Sequence, residues 1–341
     1  MIPSSTKTKF HRHKVQLIVV SVLLVMGSLV KVASAQQLGG DLDVIEVRPN
    51  FYMIAGAGAN IAVQLGPDGV LLVDTGTAEM TDRVLAEIRK LSNRKIRFII
   101  NTTAELDHVG GNEKLSTVAL SMAGPGGVIS PASLTLGVNP DEATVIGTEN
   151  LLTRMSAPTG KKAAYPASAW PTETFTEKQK HLYVNQEGIQ VIAQPGAHAD
   201  DCSFVFFRRS DVIVAGEIID TTRFPVIDVE KGGDIRKEID ALNQIVDLAI
   251  PSIPMMWQEG GTRVIPGHGW VLEQADVVEY RDMVTIIRDR IQNLIHKGMT
   301  LEQVKAANPT LGYRSHYGSD SGPWTTDMFV AAIYRNLKDG K

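Results

Sequence analysis

Cysteine is nearly absent: Cys202 is the single one among 341 residues. One thiol excludes an intramolecular disulfide, a structural zinc site built from several thiolates, and a C-x-x-C redox pair. Any metal is therefore left to His, Asp and Glu. A basic field is missing too, since the net charge is −4 and the pI is near 6.1. That balance argues against a nucleic-acid partner and for a small-molecule one. There is no G-x-S-x-G elbow and no P-loop, and Gly56-Ala57-Gly58-Ala59-Asn60 lacks the third glycine and following helix of a dinucleotide fingerprint. What is present, 43% hydrophobic residues in an otherwise ordinary composition, is too apolar for disorder and enough for one large domain or two small ones.

Acids are absent from the first 35 residues, which carry Lys7, Lys9, Arg12, Lys14 and Lys31. Without those five, 29 basic residues face 38 acidic ones. The basic start leads into the apolar run Val15 to Val30 and then Ala33-Ser34-Ala35, the pattern of a secretory signal peptide. An uncleaved anchor is the alternative, because about 18 to 20 apolar residues span a bilayer. Cleavage leaves residues 36–341 as one domain with no membrane attachment, periplasmic or secreted.

Within that domain, short apolar runs at Asn60 to Gln64 and Val70 to Val73 predict two strands joined by a hairpin at Gly66-Pro67-Asp68-Gly69. Met80 to Leu91 repeats apolar residues at helical spacing, and Ile96 to Ile100 predicts a buried strand. Ala119 to Thr174 yields only a short helix near Glu149 to Met155, and whether Ala119 to Gly147 covers a cleft is left open. Strands follow at His181 to Tyr183, Ile189 to Ala193, Ser203 to Phe207, Val212 to Ala215 and Thr262 to Ile265. Helices are expected from Ile235 to Ala249, Val277 to His296, Leu301 to Ala307 and Thr326 to Leu337, with Thr300 and Gln303 as a capping box. Two strand-rich halves with helices outside suggest a four-layer α/β sandwich.

The chemistry gathers where strands end. Asn101-Thr102-Thr103-Ala104-Glu105-Leu106-Asp107-His108-Val109-Gly110-Gly111-Asn112 follows one buried strand. Asp74-Thr75-Gly76, Pro195-Gly196-Ala197-His198 and Pro266-Gly267-His268-Gly269 close three others. Acids and histidines beside glycine at separate strand ends are what a composite metal site needs. With Ala215-Gly216-Glu217 they occur in the order that marks the metallo-β-lactamase superfamily, and the chain resembles that family from Val44 to Leu337. The resemblance implies an αββα sandwich with one or two divalent ions, usually zinc, between the sheet edges.

It departs from the family at informative places. The usual loop is His-x-His-x-Asp-His, whereas Thr103 and Glu105 stand here for the two leading histidines, and Glu217 stands at the bridging position. Carried over, Thr103, Glu105 and His198 would serve a first metal position, and Asp107, His108 and His268 a second, with Glu217 between them. Asp74 is expected to orient the loop rather than touch metal. A Thr hydroxyl is a poor zinc ligand, so the first position looks impaired. Two imidazoles and one carboxylate suffice for a catalytic zinc and also suit non-haem iron, while Glu105 shifts the first position toward manganese. Asp107 and Glu105 are the candidate catalytic carboxylates, Glu105 as a ligand or general base. Asp220 is a substitute for Glu217, and Cys202 reads as a buried thiol rather than a ligand. His181, His296 and His316 lack acid partners. The loop with Tyr313, His316, Tyr317 and Trp324 either borders a cleft or packs the last helix.

Two functions compete. One is an exported hydrolase whose metal-bound hydroxide attacks an ester, lactone, amide (a β-lactam included) or thioester. The other is a non-catalytic or weakly active binding protein that kept the fold after losing the first metal position; in a degenerate site Asp107, His108 and His268 would only bond loop backbone.

Overall fold

In the computed structural model, which describes residues 41–122, 142–160, 162–253 and 260–339, four strands open the chain as an antiparallel meander. They are β1 (Asp43–Arg48), β2 (Phe51–Ala55), β3 (Ile61–Gly66) and β4 (Gly69–Val73). The β3–β4 turn is the hairpin marked by Pro67-Asp68, with Gly66 opposite Gly69. Helix α1 (Thr81–Leu91) then carries the chain back so that β5 (Ile96–Ile100) lies parallel to β4, because a parallel neighbour needs a long crossover. Val84 and Ile88, four apart and so on one face, are the apolar residues α1 buries.

The one-turn helix α2 (Leu106–Val109) and helix α3 (Asn112–Met122) follow. Beyond them come β6 (Thr144–Thr148), α4 (Glu149–Ser156), a small hairpin of β7 (Pro158–Thr159) and β8 (Lys162–Ala163), and β9 (Glu173–Phe175). The first sheet thus has the order β1-β2-β3-β4-β5-β6-β9 among the described residues. The second is an antiparallel run of β10 (Gln179–Val184), β11 (Glu187–Ala193), β12 (Ser203–Phe207) and β13 (Val212–Asp220). Helix α5 (Ile235–Leu248) crosses over to β14 (Arg263–His268), parallel to β13. Helices α6 (Gln274–His296), α7 (Leu301–Ala306), α8 (Arg314–Tyr317) and α9 (Thr326–Asp339) complete the chain, and the Thr300–Gln303 capping box forms as expected.

Three apolar clusters define the layers. Phe51, Met53 and Ile100 of the first sheet meet Val191, Val205 and Phe207 of the second, and Phe51 packs edge-on against Phe207 at 4.8 Å. The outer face of the first sheet buries Leu72 and Ile99 against α1 and Leu115 of α3. The outer face of the second buries Phe204 and Ile213 against α5, α6, α7 and α9. Fully burying each such large side chain contributes about 1.5–3 kcal/mol. This is the four-layer αββα arrangement expected from the sequence.

The signal segment and the alternative anchor fall on residues 1–40, outside the described residues, as does most of Ala119 to Gly147. Among the described residues no helix is long and apolar enough to cross a membrane.

Candidate metal centre

Strands β4, β5, β13 and β14 deliver their ends to one edge of the sandwich. Asp74 follows β4 with φ 61°, a left-handed conformation that Asp tolerates better than most residues. The loop after β5 is held in several places. Asn112 Nδ2 donates to Asn101 Oδ1 at 2.8 Å, closing the loop at its two ends. Thr75 N donates to His108 O at 2.7 Å. Asn60 clamps the third element: its Nδ2 donates to Pro266 O and Gly269 O, both at 3.0 Å, and its N–H to Gly267 O at 2.7 Å. Asn60, at the end of the segment that lacks a cofactor fingerprint, thus holds the turn that carries His268.

Glu217 lies inside β13, a strand whose nine residues are all buried, where the pairing with β14 loses regular register. Gly216 makes this possible. Its φ is 55°, and a Cβ there would lie 2.5 Å from Thr102 Oγ1.

Four predicted residues converge. Glu217 Oε1 is 2.8 Å from both His108 Nε2 and His268 Nε2, and Asp107 Oδ2 is 3.3 Å from His268 Nε2. One ligand atom from each of Asp107, His108, Glu217 and His268 falls within 4.8 Å of the others. His268 Nε2 is buried with no aligned hydrogen-bond partner despite that short approach to Glu217. An imidazole nitrogen left without a bond among two carboxylates and a second imidazole fits a divalent ion. On the far side of His108, Nδ1 lies 2.8 Å from Asp74 Oδ2, and the Asp74 carboxylate accepts from Thr102 N at 2.9 Å and Thr102 Oγ1 at 2.6 Å. The ring therefore donates through Nδ1 and presents Nε2 to the group. Asp74 thus lies behind His108, outside the group of four.

The charges are tightly balanced. Burial alone would push Glu217 up, but His108 and His268 hold it well below the usual carboxylate range. Burial disfavours charge on the two rings as well. The carboxylates of Asp74 and Glu217 nevertheless raise His108 well above its ordinary value, and those of Asp107 and Glu217 raise His268 to about 9.

The remaining candidates are arranged differently. Thr103 is buried and its Oγ1 donates to Asp201 Oδ2 at 3.3 Å. Glu105 Oε1 accepts from Lys231 Nζ at 2.9 Å, and His198 Nε2 is 3.6 Å away, beyond hydrogen-bond reach. His198 and Lys231 together hold Glu105 at about 2. His198 Nδ1 donates to Val226 O at 2.7 Å, which leaves Nε2 buried without a partner. Asp220 does not replace Glu217, since its carboxylate is already bonded to Thr222 and to Arg223 Nε at 2.6 Å. Cys202 is buried and free, outside the group.

A cleft of about 270 Å³ opens over the group, lined by Glu105, Asp107, His198 and Glu217 and by Arg223, Val226, Lys231 and Trp324. Trp324 borders it, whereas Tyr317 packs inward against Phe224 and Tyr280. Arg223 and Lys231 went unread in the sequence. Neither belongs to a motif, and both lie on the irregular segment between β13 and α5.

The metallo-beta-lactamase superfamily model matches residues 55–268, a span that contains all the residues above from Asn60 to His268. Among curated proteins the chain is similar to the linear primary-alkylsulfatase of a Pseudomonas species, 23% identical over 285 residues that make up 74% of this chain and 52% of that protein. Among solved structures it superposes on the stereoselective inverting sec-alkylsulfatase from Pseudomonas with a TM-score of 0.58 and 17% identity, covering 86% of this chain and 50% of that one. A metallo-beta-lactamase from Pontibacter korlensis gives a TM-score of 0.50 and 16% identity, covering 72% of this chain and 99% of that one. The chain spans about half the length of both alkylsulfatases.

Proposed function

Because the chain belongs to the metallo-β-lactamase superfamily, we propose that it is a metal-dependent hydrolase, and that its substrate is an ester with an acidic head and an apolar arm, a sulfate ester before a lactam. The observation that carries the first half is the convergence of Asp107, His108, Glu217 and His268 at one sheet edge, with ligand atoms within 4.8 Å of one another. These four would hold the ion. Two imidazoles and two carboxylates suit zinc first, with manganese or iron as alternatives. A divalent ion bound there supplies Lewis acidity and lowers the pKa of water toward about 7.

The chain's own groups do the rest. Asp74 fixes His108 in the tautomer that offers Nε2. Glu105, held at about 2, is a weak proton acceptor at neutral pH, so its task is to anchor Lys231 rather than to act as general base. His198 is bonded through Nδ1 to Val226 O, and although burial disfavours its charge, the Glu105 and Glu217 carboxylates and the Val226 carbonyl together raise its pKa. Its Nε2 is the group suited to hand a proton to a leaving oxygen. Arg223, with Nη2 4.0 Å from Glu217 Oε2, and Lys231 supply positive charge for an anionic head. Val226, Pro323 and Trp324 give the cleft an apolar wall. The alkylsulfatase relatives support this choice of head group.

The test is turnover of a panel of alkyl sulfates, lactones, thioesters and β-lactams, with zinc and with chelator. Metal-stimulated release of sulfate from alkyl sulfates is the expected result. Absent turnover across the panel would favour a binding protein instead, and metal-independent turnover would refute the role given to the ion. Export rests on the Lys7 to Ala35 pattern, and secreted material should begin at Gln36.

A further inference from the structure

Beside the four-residue group lies a second pair of donors. Glu105 Oε1 and His198 Nε2 stand 3.6 Å apart, His198 Nε2 is buried without a hydrogen bond, and both residues line the same cleft as Asp107 and Glu217. A carboxylate facing an imidazole is half of what a second divalent ion would need. The protein brings its own cation to that spot. Lys231 Nζ is 2.9 Å from Glu105 Oε1 and 3.1 Å from Asp228 Oδ2, which holds the ammonium between two carboxylates. Arg154 Nη1 adds a second positive charge 4.0 Å from the same Glu105 oxygen.

Among the described residues, the neighbouring candidates Thr103 and Asp201 are already bonded elsewhere and do not complete the pair. The Thr103 hydroxyl is turned to Asp201 Oδ2. Asp201 in turn accepts from Ala104 N at 2.6 Å and pairs with Arg154 Nη1 at 2.6 Å. The loop is therefore braced in a form that keeps both Thr103 and Glu105 bonded within the protein. An ion entering there would meet an ammonium already in contact with its best ligand, and like charges at such a distance repel.

We infer that the protein binds one divalent ion, in the group of Asp107, His108, Glu217 and His268, and that the Lys231 ammonium on Glu105 takes the place of a second. The inference rests on the metal-dependent reading above. Its consequence is a half-organic centre: the ion is exchangeable and removable by chelator, whereas the positive charge beside it belongs to the polypeptide and stays.

The test counts ions in the full, folded chain. Zinc per chain is measured after loading and exhaustive dialysis, and cadmium-113 NMR of cadmium-loaded protein counts distinct environments. One zinc and one cadmium resonance are expected, both lost in His268→Ala. Two ions per wild-type chain overturn the inference and leave the metal-dependent reading standing. No bound ion removes that reading, and the inference with it. The variant Thr103→His, Glu105→His, Lys231→Met should take up a second ion. Should it fail to fold, Lys231→Met alone, at a half-exposed side chain, is expected to add a weaker second event to a zinc titration. A titration indistinguishable from wild type would show that Lys231 is not what excludes the second ion.

Discussion

Replacing Asp74 with Asn removes one negative charge behind His108 and preserves the shape of the side chain. The Asp74 carboxylate accepts three hydrogen bonds, from Thr102 N at 2.9 Å, Thr102 Oγ1 at 2.6 Å and His108 Nδ1 at 2.8 Å. Asparagine tolerates the backbone there, with φ 61°, so the variant should fold. Its amide offers a single oxygen. Either the Thr102 N–H or the His108 Nδ1–H must then face an NH2 group, donor against donor. A hydrogen bond to a charged partner contributes about 1.5–3 kcal/mol. At about 1.4 kcal/mol per tenfold change in affinity, losing it from the His108 ring weakens metal binding by about 10- to 100-fold, the range typical for partners behind a ligating histidine. The assay is competition for zinc against a chromogenic chelator at neutral pH, with circular dichroism and thermal melting as controls for the fold. A folded Asp74→Asn protein that binds zinc within about threefold of wild type, well inside that range, would refute the claim that Asp74 sets His108 as a ligand.

Four further outcomes follow from the structure. In the metal-free protein His268 is raised to about 9 and His108 lies well above its ordinary value, so zinc binding at neutral pH should release about two protons. Calorimetry in buffers of different ionisation enthalpy measures the release, and a zinc affinity that does not rise as pH climbs toward about 9 contradicts the assignment. Because those folded-state values are raised, the stabilisation they give the metal-free fold is complete below the unfolded histidine value near 6.5 and is lost as pH rises through about 9. Glu238 is fully buried with neither carboxyl oxygen bonded, and burial pushes its pKa well up. The unfolded chain sheds that proton near pH 4.3 while the folded one keeps it, so wild-type stability falls as pH rises from there. Glu238→Gln removes the dependence, and denaturant midpoints should therefore favour the variant increasingly from mildly acidic to neutral pH; parallel pH profiles would contradict this. Gly216→Ala would put a Cβ 2.5 Å from Thr102 Oγ1 at φ 55°, at a cost of about 1–3 kcal/mol. An unchanged denaturation midpoint would show that the close approach of β13 to the loop is not structural.

The sequence made most of the fold legible wherever local patterns and tertiary burial agree. The Pro67-Asp68 hairpin, the 3.6-residue face of α1 and the Thr300–Gln303 box all form as read. Strand β13 runs five residues past the expected end at Ala215, because Gly216 and Glu217 look like strand breakers until Thr102 and two imidazoles are packed against them. Strands β6 and β9 and helix α3 escaped notice, since β9 is three residues long and takes its pairing from β6 rather than from its own pattern. At the site, the ligand loops could be found by their glycines and their positions at strand ends. Lys231 and Arg223 could not, because a lone cation on an irregular segment acquires meaning only from the carboxylates it meets across the fold, Glu105 lying 126 positions from Lys231.

Whether Asp107, His108, Glu217 and His268 hold a divalent ion is decided by anomalous diffraction at the zinc edge from crystals of zinc-loaded protein. One strong peak is expected within bonding distance of His108 Nε2, His268 Nε2 and the carboxylates of Asp107 and Glu217, with Lys231 still on Glu105. A loaded crystal with no peak among those four side chains would contradict the assignment.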